Sequence, residues 1–413
     1  MNKSVAVVIL NYIQYINVKS GIDELIKRGY KVDVFCSEIN SSDGFGQMFD
    51  DTAQLLKKEG YKVYRSLNNK KYKVLLEPYP YMEIDAIYRI RYRYGMISAK
   101  PNIVYLPKNY LMYDAIMCCG KYDSSYLKAF TNPLIVGNLK YNNFKRVKHD
   151  YKKKVLLYLP TYGSESSINS IIEQLPKLRE KYHVIAKIHH GTTFLVDEKD
   201  RIEILKNNVD EFYDCFKSLS ELLSFADVVL TDNSGSIFES LYVGVPVCVF
   251  CDDINANKIG EFNTTQFELY QLGILPYTSK RKDINTIVDL AISKEFSKKQ
   301  KAWAKENFHY SDNAFSEFAD AVELYLTDNI NNRYYTFHKN FAKEYYDLMK
   351  DKQELDRLNL EYHDEILRLS EINNKNKEKI ATFENTLSQY ENGKLYRIAK
   401  KINAITNRIR GIK

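Results

Sequence analysis

The sequence predicts an α/β fold in which two units of parallel β-sheet face one cleft and precede a long helical extension. Short apolar runs alternate with helical patterns as far as residue 250, which is typical of parallel sheets covered by helices on both faces. A polar and basic stretch at 138–150 divides this alternation and is expected to link the two units. From about residue 313 the chain is nearly all helix-forming, and no proline follows Pro276.

The first predicted unit, residues 1–145, opens with a βαβ pattern. We expect a strand at 4–10, a loop at 11–17 and then a helix to about Arg28. The first apolar run is short and lacks a small-residue cleavage site, so we interpret it as a strand and not as a signal peptide. Further strands are expected at 32–36, 63–64, 115–119 and 134–137, and a helix is expected at 55–59.

The second predicted unit, residues 150–330, repeats the alternation more clearly. Its first strand, 155–159, ends at Pro160, and a helix is expected to follow to about Glu180. The remaining predicted elements are a strand at 184–189, a helix at 219–225, and strands at 228–230 and 247–250 on either side of a short helix.

A loop rich in small polar residues follows the strand at 228–230. Ser234, Gly235 and Ser236 lie where this loop becomes a helix, so backbone N–H groups without intrahelical partners are expected there. Such donors bind phosphate, and hydroxyl groups add hydrogen bonds. The alternative is an ordinary helix cap, because serine, aspartate and asparagine are common at that position.

A second polar cluster, Lys187 with His189 and His190, ends the preceding strand of the same unit. Ligands of open parallel sheets bind outside the carboxyl ends of the strands, so this cluster and the serine loop should face one crevice. Adjacent side chains of a strand point to opposite sides, so we expect at most one of the two histidines to face a ligand. The alternative is a structural role for both.

Composition excludes several classes of protein. The formal charge of +7 lies entirely in residues 393–413, which contain seven basic residues and no acidic one, so the rest of the chain is neutral. That distribution is unlike a nucleic-acid-binding surface. No run of 18 apolar residues predicts a membrane span. Cys248 and Cys251 have metal-ligand spacing but lie inside an apolar strand, so we expect buried thiols and no metal site.

Several motifs together resemble one enzyme family. They are Lys154 to Tyr162, Lys187-Ile188-His189, and Thr231 to Ser236 with Phe238, and 135–142 resembles the family's link segment. These stretches resemble the CDP-glycerol:poly(glycerophosphate) glycerophosphotransferases, which build teichoic-acid-type and capsular polymers and have the GT-B fold of two Rossmann-like domains. The resemblance covers roughly residues 85–255 and is tightest between 150 and 250.

The resemblance implies a nucleotide-activated donor, CDP-linked in this family, and no further cofactor. It implies that His189 acts on the donor phosphates and that Asp232 is the acidic residue of the phosphate-binding loop. Tyr94 stands where the family has the histidine that acts as the acceptor's base, and tyrosine, with a reference pKa near 10, is a poor base at neutral pH. The other residues expected at the donor are Thr161, Lys187, His190, Ser234, Gly235, Ser236 and Glu239.

We therefore expect a transferase that moves glycerol phosphate, polyol phosphate or a sugar to a polymer or lipid-linked acceptor. The alternatives are a GT-B glycosyltransferase that uses a UDP- or CDP-sugar, an enzyme resembling the UDP-sugar 2-epimerases, whose Asp-Ser-Gly-Gly loop is similar to 232–235, and a non-catalytic scaffold.

The C-terminal segments predict partners of another kind. Apolar residues recur every seven positions from Leu348 to Leu369, which favours a coiled-coil seam within 335–392 and a second copy of the chain as partner. The alternative is packing on the protein's own body. Residues 393–413 form a basic amphipathic helix, which favours an anionic membrane surface. The expected location is cytoplasmic, at the inner face of the cell membrane.

Overall fold

Two parallel β-sheets organise residues 4–345, the first of two structural units, in the computed structural model. The statements that follow apply to the residues the structure describes: 4–36, 45–65, 70–81, 83–93, 110–128, 131–163, 166–194, 198–252, 265–330, 335–409 and 411.

The first sheet contains seven strands within the described residues, in the order β3-β2-β1-β4-β5-β6-β7. All neighbouring strands are parallel, as the alternation of strands and helices predicted. Two of its strands, β4 and β5, were not predicted. The strands are β1 (Ser4–Val8), β2 (Lys31–Phe35), β3 (Val63–Tyr64), β4 (Lys71–Glu77), β5 (Asp85–Arg91), β6 (Ala115–Cys118) and β7 (Asn132–Ile135).

The second sheet contains six described strands in the order β10-β9-β8-β11-β12-β13, and these are also all parallel. Its central strands are continuous runs of buried apolar residues, which is what a sheet covered on both faces requires. The strands are β8 (Lys154–Leu159), β9 (Tyr182–Lys187), β10 (Glu211–Tyr213), β11 (Val228–Thr231), β12 (Val247–Phe250) and β13 (Tyr277–Thr278).

The helices cover both sheets and then continue into the extension. Among the described residues the α-helices are Tyr12–Lys27, Phe45–Lys58, Lys121–Leu127, Ile168–Ile171, Leu175–Lys181, His190–Phe194, Lys199–Asn208, Leu219–Phe225, Ser236–Tyr242, Thr265–Gln271, Ile284–Ile292, Lys294–Asn307, Ala314–Leu326, Tyr335–Asn392 and Lys394–Ile409.

The expected loop at 11–17 is wrong, because the first helix begins at Tyr12. The Asn11 side chain caps this helix by accepting a hydrogen bond from the Gln14 N–H at 2.9 Å. Gln14 is 1% exposed, and its side-chain oxygen accepts from the Leu10 N–H at 2.7 Å. The polar residues that suggested a loop therefore begin the helix and satisfy the backbone where strand β1 ends.

The helix Ala314–Leu326 returns to the first sheet, although it follows the second sheet in the sequence. Ala314, Phe318 and Val322 belong to the hydrophobic core built on β1 and β4. A side chain at Gly21 would collide with the Phe318 ring, so glycine is what allows the two helices to pack this closely. The predicted domain limits, 1–145 and 150–330, remain predictions.

Residues 346–413 form a separate unit, and its described part contains most of the helix Tyr335–Asn392 and the helix Lys394–Ile409. The predicted seam residues are largely exposed in it, with Leu348 at 62%, Leu355 at 58% and Leu369 at 52%. The helix continues through residue 392 even where the seven-residue pattern is interrupted. Among the described residues, no helix is both long and apolar enough to cross a membrane.

Candidate active site at the carboxyl edge of the second sheet

The carboxyl ends of three adjacent strands of the second sheet, β9, β8 and β11, bring several of the predicted polar residues together. His189 follows β9, Tyr162 follows β8, and Asp232 follows β11. The loop after β8 joins the other two, because the Thr161 N–H donates to Asp232 while the neighbouring Tyr162 ring stacks on His189. This edge is where a doubly wound sheet binds its ligand.

Asp232 is an anchor inside this edge. It is 1% exposed, and its carboxylate accepts hydrogen bonds from the Thr161 N–H at 2.9 Å, the Ser167 N–H at 3.0 Å and the Ser167 hydroxyl at 2.8 Å. Burial raises the pKa of Asp232 to about 6, although these hydrogen bonds favour the charged form. Its acceptor capacity is used on the protein itself, so the arrangement fits a positioning residue.

The rings of Tyr162 and the two histidines are in contact, with Tyr162 stacked on His189 and the His190 ring tilted against His189. The rings of Tyr162 and His189 are 4.6 Å apart and nearly parallel, and those of His189 and His190 are 3.9 Å apart. The expectation that the histidines point to opposite sides is wrong, because β9 ends at Lys187 and strand alternation no longer applies. A Cβ at Gly191 would lie 2.5 Å from the Tyr162 ring, so this position requires glycine.

The hydrogen bond at Nδ1 fixes the orientation of His189. Its Nδ1 accepts from the Gly191 N–H at 3.0 Å, so in the neutral ring the proton is assigned to Nε2. The stacked Tyr162 ring holds the plane of the imidazole. His189 is therefore oriented as an N–H donor through Nε2.

Lys187 lies beside a buried ion pair. Burial lowers its pKa to about 8, and the charges of Lys140 and Glu239 are near enough to act on it in opposite directions. Lys140 Nζ donates to Glu239 Oε1 at 2.7 Å, and both side chains are almost fully buried. The charge of Glu239, a residue expected at the donor, is thus neutralised by Lys140. A phosphate bound nearby would therefore interact with the positive charge of Lys187.

The two serine hydroxyls of the loop, those of Ser234 and Ser236, differ in their hydrogen bonds. The Thr231 hydroxyl donates its only proton to the Leu159 carbonyl at 2.6 Å, so the Ser236 hydroxyl, 2.8 Å away, must donate to Thr231. The Ser234 hydroxyl accepts from the Ser236 N–H at 3.3 Å, and its own proton has no acceptor in the described part of the chain. Gly235 precedes the helix and offers no capping side chain.

A cavity of about 200 Å³ opens between the two halves of the first unit. Tyr12 and Met48 line it from the first half, and His190 and Phe216 line it from the second. Tyr94, the predicted acceptor-side residue, lies outside the described residues. Within the described ranges, no three His, Cys, Asp or Glu side chains converge as a metal ion requires.

Sequence reasoning missed Tyr162 and Lys140 near this edge and Arg93 at the carboxyl edge of the first sheet. Tyr162 is the last residue of a family motif, and its place two positions beyond Pro160 allows an aromatic ring to cover the end of the neighbouring strand. Lys140 lies in the link segment, and its pairing with Glu239 could not be predicted because the two residues are 99 positions apart. Arg93 directly precedes Tyr94, the position where the family has a histidine. The alternation of Arg89, Arg91 and Arg93 in the sequence could have indicated its importance.

Comparisons with known proteins identify the fold. No protein-family model and no curated protein sequence matches the chain. Among solved structures, the wall teichoic acid polymerase TagF is similar over 80% of this chain and 91% of its own, with 12% identity and a TM-score of 0.51. Staphylococcus aureus MnaA with UDP is similar over 78% and 97%, with 13% identity and a TM-score of 0.51.

A putative UDP-N-acetylglucosamine 2-epimerase from Listeria monocytogenes covers 80% of this chain and 98% of its own, with 14% identity and a TM-score of 0.50. At such identities the similarity establishes the fold alone. The chain has the predicted GT-B fold of two Rossmann-like halves, followed by a long C-terminal helix.

Proposed function

We propose that the protein is a transferase that uses a nucleotide-activated donor, with the donor's phosphates bound at the carboxyl edge of the second sheet. The observation that carries this proposal is the oriented His189, stacked on Tyr162 beside Lys187 at the ends of adjacent strands. Preorganised donors of this kind stabilise the negative charge that develops on a departing phosphate.

The favoured reaction is the transfer of a polyol phosphate from a CDP-linked donor. The acceptor hydroxyl forms a bond to the β-phosphorus, the bond from that phosphorus to the bridging oxygen breaks, and CMP leaves with the electron pair. The hydroxyl proton passes to a base on the acceptor side. His189 donates through Nε2 to the departing phosphate, and the Lys187 ammonium offsets its charge. The motif resemblance supports the CDP-linked choice, and a TagF structure soaked with CDPG is among the solved structures that share the fold.

A panel of donors tests this proposal. The purified full-length chain would be incubated with CDP-glycerol, CDP-ribitol, UDP-N-acetylglucosamine and UDP-glucose, and the nucleotide products would be separated by anion-exchange chromatography. We expect CMP from a CDP-polyol, whereas a sugar transferase would release the nucleoside diphosphate. Conversion of the UDP-sugar to its 2-epimer without an acceptor would favour the epimerase alternative. Failure of every nucleotide to bind would overturn the proposal and leave the scaffold alternative.

The basic tail supports an acceptor at a membrane surface. In the helix Lys394–Ile409, Leu395 is 82% exposed, and Ile398, Ile402 and Ile405 are about half exposed. With the basic residues on the remaining faces, such a helix suits an anionic bilayer surface, where each charge near the lipid contributes about 1 kcal/mol. Full-length protein should sediment with anionic vesicles at low salt, and protein lacking 393–413 should not. If both forms ignore the vesicles, the exposed stripe is better explained by pairing with a second copy of the chain.

A further inference from the structure

Three arginines alternate along strand β5 and its end, and among the described residues the third differs from the other two in having a buried Nε without an acceptor. Arg89 donates to both carboxylate oxygens of the buried Glu77 at 2.8 Å. Arg91 lies over the rings of Tyr110 and Tyr113. Arg93 has its Nε fully buried, and Nε has no hydrogen-bond acceptor in the part of the chain that the structure describes.

A nearby carboxylate does not pair with Arg93. Asp123 is close enough for its charge to act on the guanidinium, but its two oxygens accept from the backbone N–H groups of Cys119 at 2.7 Å and Gly120 at 2.9 Å. A buried N–H donor such as this Nε is costly when it has no acceptor, and native proteins pair such groups or use them on a ligand. The position of Arg93 is therefore better explained by a ligand than by the fold.

The cavity beside Arg93 has the place and the size to receive part of an anion. It lies at the carboxyl ends of β5, β6 and β7, and it is lined by Asn17, Cys118, Gly137 and Asn138 as well as Arg93. Asn138 uses its Oδ1 on the Lys140 N–H, which leaves its Nδ2 donors for a ligand. The cavity volume of about 20 Å³ admits one oxygen atom, with the remainder of a ligand at the opening.

We propose that Arg93 binds a phosphate ester of the acceptor, with one phosphate oxygen in this cavity between the guanidinium and Asn138. The proposal rests on the proposed function, because it names the acceptor of the same transferase. Arg93 belongs to the sheet across the cleft from Lys187 and His189, so this anion site is separate from the donor's. A phosphate suits the geometry because one of its oxygens enters while the others remain outside with the ester.

Thermal unfolding with inorganic phosphate as the probe tests the site. Wild type should show a saturable rise in Tm, about 2 °C or more, beyond that in sodium chloride of equal ionic strength. The same titration in saturating CDP would exclude phosphate bound at the donor edge. Arg93→Gln should lose this rise, and its Tm without phosphate should equal or exceed that of wild type. Arg93→Lys keeps the positive charge but loses the planar, forked N–H geometry of the guanidinium, so it should keep part of the phosphate-induced rise in Tm.

Arg146→Gln is the matched control, because Arg146 is also partly buried and donates to the Leu223 carbonyl at 2.7 Å in the other half of the unit. It should keep the phosphate response whatever its own Tm. The proposal is overturned if wild type responds equally to phosphate and chloride, if Arg93→Gln keeps the response, or if Arg93→Gln is destabilised more than Arg146→Gln. The last result would mean that Arg93 is structural.

Two further ligands identify the source of the phosphate. Glycerol 3-phosphate represents a soluble or polymer-borne ester, and dihexanoyl phosphatidic acid represents a lipid-borne one. The ester that raises Tm at the lower concentration in wild type, with no effect on Arg93→Gln, names the acceptor class. CDP affinity, measured separately by calorimetry, should be the same in wild type and Arg93→Gln. Absence of CDP binding in wild type would refute the CDP-linked choice of donor while leaving the Arg93 result to stand or fall by itself.

Discussion

The carboxyl edges of the two sheets are built in different ways. At the second edge, Asp232 is held by the Thr161 and Ser167 N–H groups, and Tyr162 stacks on His189, so the polar groups hold one another in place. At the first edge, Arg93 has a buried Nε with no acceptor among the described residues. The comparison indicates that polar groups at a sheet edge can have two roles: some position the loops, and others are available to bind a ligand. The hydrogen bonds that each group makes within the protein distinguish the two roles.

The largest expected effect tests the positioning role of Asp232. Asp232→Ala leaves three buried donors without an acceptor, so it should lower the free energy of unfolding by about 3 kcal/mol. Arg93→Gln should leave it unchanged or raise it by up to about 0.5 kcal/mol, because the buried Nε has no hydrogen bond to lose. Urea denaturation followed by circular dichroism measures both. If both variants lost the same free energy of unfolding, Asp232 and Arg93 would both be structural and the two edges would not differ in this respect.

The next effect concerns catalysis at the second edge. His189→Ala removes an oriented donor and should lower kcat roughly a hundredfold, with the free energy of unfolding little changed. His183→Ala is the matched control. His183 also stacks on a tyrosine, Tyr151, and hydrogen-bonds to Glu211, but it lies at the amino end of the same strand. If both variants lost activity equally, the stack at His189 would be structural.

Sequence patterns predicted the repeated architecture, and they selected polar residues that lie at one edge of the second sheet because short consecutive segments carry them; the chemistry of that edge stays a prediction. They missed β4 and β5 because these strands contain charged residues, and the charges of Glu77 and Arg89 are hidden by pairing inside the sheet. They could not show that Asp232 faces inward, since its partners lie 65 and 71 residues away. The residue type predicts which hydrogen bonds and ion pairs a side chain can form. Contacts with residues distant in the sequence decide whether the side chain already forms them within the fold.

A smaller effect depends on pH and on Lys187. Because burial lowers its pKa to about 8, its ammonium is charged below pH 8 and neutral above. CDP affinity should therefore fall as pH rises from 7.5 to 9.5, by at most tenfold per pH unit. Lys187→Arg should remove this dependence because arginine stays charged. Calorimetric titrations at several pH values measure it, and a flat profile in wild type would exclude contact between Lys187 and the phosphates.

The same lysine has the opposite effect on stability. Its pKa in the folded protein lies below the value of 10.5 for an unburied lysine, so the unfolded chain binds more protons between about pH 8 and 10.5. The contribution of Lys187 to the free energy of unfolding therefore rises with pH across that window. Lys187→Met should lack this rise, which separates the lysine from the other groups that titrate there.

The smallest effect repeats, within the second edge, the contrast between the two edges. Ser236 has its proton committed to Thr231, whereas the Ser234 proton has no acceptor in the described part of the chain. Ser234→Ala should therefore weaken CDP binding about fivefold to tenfold, and Ser236→Ala should instead lower the free energy of unfolding by about 1 kcal/mol. This refines the sequence-based expectation that both serines hold the phosphates. If Ser236→Ala weakens CDP binding as much as Ser234→Ala does, the hydroxyl of Ser236 must turn from Thr231 to the ligand when the donor binds.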